Sequence, residues 1–131
     1  MGARPRHASH IPAFALGARG WRRASAWLRR VPIADPVDRR NAPALQVLFL
    51  FLGSEIPLNK LYHLLTAPRI EMSTVQLAVD VGTDAAIAAA AWGGIWMIRR
   101  GLLQQAAAAF IAVVLCSAVA ANLAFGYQLQ A

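Results

Sequence analysis

Acid and cysteine are scarce in this chain: it has six Asp and Glu residues against thirteen Lys and Arg, and Cys116 is the one thiol among 131 residues. A lone cysteine excludes an intrachain disulfide, and its place in the middle of an apolar stretch suits a small packing residue better than a redox group. Of the three histidines, His7 and His10 sit in the N-terminal tail and His63 in the first apolar run, and none has the cluster of His, Cys or carboxylate partners that a metal or haem site requires. No nucleophile and base stand in a usable relation either. An enzyme is therefore not expected, no catalytic residue is named, and neither a metal nor a cofactor is implied. The formal charge is +7, yet the cations crowd against apolar segments and form no stripe interleaved with stacking aromatics. That pattern speaks against nucleic acid and for anionic lipid as the counter-charge.

Apolar residues are abundant, at 58% of the chain. They gather in three runs, at about 43–65, 74–98 and 102–126, each reaching the roughly 20 residues that a helix needs to cross about 30 Å of hydrocarbon. A soluble three-helix bundle would need polar faces, and the run from Ala85 to Met97 has none. The expected fold is all-α: a three-span transmembrane helical bundle over residues 43–131, preceded by a basic, partly amphipathic segment over residues 1–42. The partner that follows directly is the lipid bilayer. In the second run Gly82, Ala86, Ala90 and Gly94 recur every four residues, a spacing that lets helix backbones approach closely. This stripe serves packing within the bundle, or a seam to a second copy or a larger membrane complex.

Nine of the thirteen cations lie in the first forty residues. At about 100° per residue, Phe14, Gly17, Trp21, Ala24 and Leu28 share one side, while Arg19, Arg22, Arg23, Arg29 and Arg30 gather on the other. An interfacial helix is expected there, although Gly17 and Gly20 weaken it and leave a disordered basic tail as the alternative. Gly2 is followed by Arg6 where N-myristoylation needs Ser or Thr. Pro32, Pro36 and Pro43 interrupt the next stretch, so Asn41 is expected to cap the first span with Pro43 in its first turn. Counting cations in the flanking loops places the N-terminus and the Arg99–Arg100 turn on the cytoplasmic side, and the loop around Arg69 and the C-terminus on the external side. Trp92 and Trp96 then approach the inner boundary, and Tyr62 and Tyr127 the outer one. An Arg-rich, acid-poor start also fits a mitochondrial presequence, which makes the mitochondrial inner membrane the alternative.

Ionisable groups inside a span cost about 2.5–3.5 kcal/mol each at its centre, so those present call for a reason. Glu55, Lys60, Asp80 and Asp84 are four such groups, accompanied by Asn59, Ser117 and Asn122. Taking residues 65 and 74 as the outer ends and about 1.5 Å per residue, Lys60 and Asp80 share one depth and Glu55 and Asp84 another. Lys60 is thus expected to pair with Asp80, leaving Glu55 opposite Asp84, with Ser117 and Asn122 of the third span in the same outer half. Pro57 removes a helical donor and clashes with the Gly53 carbonyl, so a kink with free acceptors and a wet pocket is expected nearby. Two carboxyls at one depth resist ionising together, which suits binding of a proton or cation. An inert network that only fixes helix register is the alternative.

The segment Asp35-Pro-Val-Asp-Arg-Arg-Asn-Ala-Pro-Ala-Leu-Gln-Val-Leu, with Ile56-Pro-Leu-Asn-Lys-Leu-Tyr-His-Leu-Leu downstream, resembles the membrane-embedded input regions of bacterial sensor histidine kinases and diguanylate cyclases. The resemblance covers about residues 33–126. It implies a sensory role for the helices and carries no ligand residues over. Since no kinase or cyclase domain follows, it implies an input region parted from its output domain. The residues themselves leave two other roles open, a small accessory subunit of a membrane complex and a minimal ion or proton conductor.

Overall fold

A computed structural model describes residues 13–66 and 72–126. His7, His10, Arg69 and Tyr127, considered in the sequence analysis, lie outside the described residues. Four helices follow one another: α1 (Ala13–Arg29), α2 (Pro36–Thr66), α3 (Thr74–Arg99) and α4 (Leu103–Gly126). The last three are long and apolar enough to cross a membrane, so the fold is all-α and the chain is a multi-pass membrane protein.

Each helix end has a local cause. Asp35 caps α2 by accepting the Asp38 amide at 2.9 Å, and Pro36 takes the first helical position, where its missing N–H costs nothing. The helix therefore starts a full turn and more before Asn41 and Pro43, and Pro43 lies inside it. Ser73 and Gln76 close a reciprocal capping box on α3. The α3–α4 turn is a Schellman motif: Gly101 N–H donates to Ile98 C=O and Leu102 N–H to Met97 C=O, at 2.9 and 3.0 Å. Gly101 has φ +84°, and a Cβ there would sit 2.7 Å from the Pro32 carbonyl oxygen. Glycine is required on both counts, and the turn is thereby seated against the α1–α2 linker.

α3 packs against both α2 and α4. Buried positions recur at helical spacing, Ala42, Gln46, Phe49 and Gly53 on α2 and Ala91, Gly94, Ile95 and Ile98 on α3. Phe49 sits where Gly94 leaves room, since a Cβ on Gly94 would run into its ring, and it meets Phe110 of α4 with ring centroids 4.9 Å apart. The core residues Ile33, Ala42, Phe49, Ala91, Ile95, Ile98, Leu103 and Ala106 all lie in the half of the bundle that carries α1 and the α3–α4 turn. That half is the basic end. Toward the other end contacts thin out, and only 6% of the most apolar stretch of α4 is buried. Ile111, Leu115, Val119 and Leu123 point outward, as lipid-facing side chains should.

The small-residue stripe does not form one seam. A four-residue step advances the helix by about 40° beyond a full turn, so twelve residues carry the stripe a third of the way round. Gly94 consequently meets Phe49 of α2, whereas Gly82 and Ala86 line an open groove with Ala112, Cys116, Ser117 and Ala120 of α4. Ala90, between them, is half-buried.

Candidate functional site: a shared lysine between two helices

Pairing of α2 with α3 is registered by the two close approaches at glycine. Phe49 lies on Gly94, and Trp92 lies on Gly53, where an added Cβ would be 2.7 Å from the indole nitrogen. This register is shifted by about one helical turn from the one obtained by matching residues 65 and 74. As a result Lys60 stands beside Asp80 and Asp84 together. Its Nζ is 2.5 Å from Asp80 Oδ2 and 2.9 Å from Asp84 Oδ2, and the three side chains are between about a quarter and a third exposed. Asp80 and Asp84 are one turn apart on α3, so both carboxylates project toward the same ammonium.

Glu55 is not opposite Asp84, as depth alone would have it. It lies five residues before Lys60, an angular offset of about 140°, and so points away from the α2–α3 seam. Glu55 and Asn59 instead border a shallow open depression with Phe51, Ser54 and Leu58 on the outer side of α2. Ser117 is buried in the α3–α4 groove, and Asn122 is exposed and donates to the Ala118 carbonyl of its own helix at 2.9 Å. The seven polar residues therefore divide into a compact triad, an exposed pair and two separate positions on α4.

Pro57 frees the Gly53 carbonyl, and that acceptor does not open into a pocket. Trp92 Nε1–H donates to it at 2.9 Å across the helix interface. Trp92 lies about 10 Å from the end of α3 and serves as a tie between helices. Trp96, nearer that end, lies beneath the Arg100 guanidinium at 3.9 Å.

The ties continue to the basic end. Gln46, wholly buried on α2, donates to the Leu28 carbonyl at 2.8 Å and also to Ala42. Arg99 donates to the Trp27 carbonyl at 2.9 Å and stacks on the Trp27 indole at 4.2 Å. The last turn of α1 is thus held by two side chains that satisfy its terminal carbonyls, with the positive one complementing the helix dipole. Gln104 of α4 adds a hydrogen bond to Asp38 at 2.8 Å. Charge counting marks Arg99 as a cation of the α3–α4 turn but not as a tie to α1, and the one sequence signal for Gln46 is a glutamine near the start of an apolar run.

The triad holds one ammonium and two carboxylates. In a low-dielectric setting the surplus negative charge is expensive unless a cation accompanies it. Among the described residues, no group of three His, Cys, Asp or Glu side chains is placed to hold a metal ion. Comparisons with protein-family models, with curated proteins and with solved structures find no match to this chain.

Proposed function

We propose that this chain is an integral-membrane input module of a bacterial signalling protein, set in the inner membrane with α1 and the α3–α4 turn in the cytoplasm. The Lys60–Asp80–Asp84 triad, in the outer half of the bundle, is its sensing element. One observation carries this reading: two carboxylates share one lysine, so the site takes up a proton or a monovalent cation from the outer phase to reach neutrality. Pro57 lies one turn from Lys60 on the side of the Gly53–Trp92 tie. A change of charge at the triad would therefore be felt at the proline, where α2 lacks a backbone donor, and passed along the α2–α3 seam toward α1. Arginine asymmetry supports the orientation, with nine cations before residue 41 and two more in the α3–α4 turn. An accessory subunit of a larger complex is the second reading, favoured by the open α3–α4 groove and the uncovered α4.

Infrared difference spectroscopy on the purified chain in proteoliposomes tests the first reading. Stepping the external pH, or exchanging sodium for a large organic cation, should produce carboxyl bands in the wild type that Asp80→Asn and Asp84→Asn each alter. Difference spectra identical for wild type and both variants would leave the triad as an inert register lock. Steady proton flux across the vesicle wall that vanishes in Asp84→Asn would instead identify a conductor.

A further inference from the structure

The sensing proposal leaves α1 without a role beyond being held, and the condition of this helix is unusual. Residues 19–24 are exposed on every side, with Trp21 73% accessible. A helix of 17 residues containing two glycines is marginal in water on its own. Among the described residues the hydrogen bonds that tie α1 to the spans fall in its last turn, at the Trp27 and Leu28 carbonyls. A surface that covers the indole would also favour the helical state of α1.

Position and charge say what that is. Arg99 ends a membrane span and grips the C-terminus of α1, so α1 ends at the level where that span ends. At this end of the molecule nine arginines, from α1, the start of α2 and the α3–α4 turn, stand against Asp35 and Asp38 alone. The guanidinium groups of Arg99 and Arg100 stand over the Trp27 and Trp96 rings, 4.2 and 3.9 Å from their centroids, and guanidinium N–H groups pair well with phosphate oxygens. We infer that α1 lies on the bilayer surface and binds the phosphates of anionic phospholipids through Arg19, Arg22, Arg23, Arg29 and Arg30, with Trp21 sunk among the acyl chains. The lipid, together with the Arg99 and Gln46 ties, determines whether α1 is docked.

The test uses the full chain in nanodiscs of phosphatidylglycerol or of phosphatidylcholine, with amide hydrogen exchange read over α1. Protection should be strong in phosphatidylglycerol, weak in phosphatidylcholine, and lost at high salt. Each exposed arginine removed should weaken the association roughly fivefold, and Arg19→Gln/Arg22→Gln/Arg23→Gln about a hundredfold. Those three side chains are exposed, so exchange across α2–α4 should stay unchanged and certify the fold. Equal protection in the two lipids would overturn the inference. So would protection in phosphatidylcholine discs that appears on adding inorganic phosphate, an oligonucleotide or an acidic polypeptide, each of which would name a different ligand.

Discussion

The basic half of the bundle and the opposite half, outer in the proposed orientation, are built from the same three helices by different means. In the basic half, aromatic rings fill the space left by glycine, Phe49 on Gly94 and Trp92 on Gly53, and the core residues lie together. In the outer half the ion triad joins α2 to α3, the groove between α3 and α4 stays open, and most side chains of α2 beyond Pro57 face outward. Lipid tails are as apolar as leucine, so burial against lipid gives helices little reason to associate, and close packing or polar ties must do it. One half uses the first and the other half uses the second. Packing of the first kind fixes a single geometry, whereas an ion triad can change with its charge, so the proposed sensing element sits in the half that is free to respond.

The largest expected effect is at the packed end. Phe49→Ala should cost about 3–5 kcal/mol, because the ring leaves a cavity over Gly94 that helices pinned elsewhere cannot close. Leu61→Ala, at an exposed position of the outer half, should change stability by less than about 0.5 kcal/mol. Reversible unfolding in mixed micelles measures both, and similar losses at the two positions would erase the contrast between the halves.

Next in size is an asymmetry within the triad. Lys60→Met leaves two carboxylates without their cation, and after allowing for partial exposure it should cost about 1–3 kcal/mol. Asp84→Asn removes the surplus charge while keeping a polar partner for Lys60, and should be neutral or stabilising. The same unfolding assay decides between them, and a costly Asp84→Asn beside a harmless Lys60→Met would mean that the surplus charge is not what governs this half. The smallest effect is expected at the junction of the two halves. Trp92→Phe loses one hydrogen bond, about 1 kcal/mol, and should speed amide exchange near Gly53 and Pro57 without altering exchange around Phe49.

The spans were legible because length and apolarity alone decide what can cross hydrocarbon, and Lys60 with Asp80 was legible from matching depth. Two other features were not. Both Asp35-Pro36 and the Asn41 to Pro43 stretch carry the signature of a helix start, and propensity does not rank them; the observed start uses Asp35, whose carboxylate reaches the Asp38 amide. Depth also says nothing of direction around a helix. Glu55 was matched with Asp84 on depth, yet five residues separate it from Lys60, and one side of a helix cannot hold both. The register itself depended on where rings meet glycine, a long-range fit of Phe49 and Trp92 that no local pattern encodes. The ties to α1 through Gln46 and Arg99 were hidden for the same reason, since their acceptors are backbone carbonyls and carry no mark in the sequence.

The proline at position 57 also bears on biogenesis. A single α2 threaded into the bilayer by itself would carry a bare Gly53 carbonyl and an unaccompanied Lys60 through hydrocarbon, and both are relieved only by groups that arrive later in synthesis, Trp92 and the two aspartates of α3. Leaving the translocon as a preassembled pair spares each helix that exposure. The second span is in this sense the chaperone of the first.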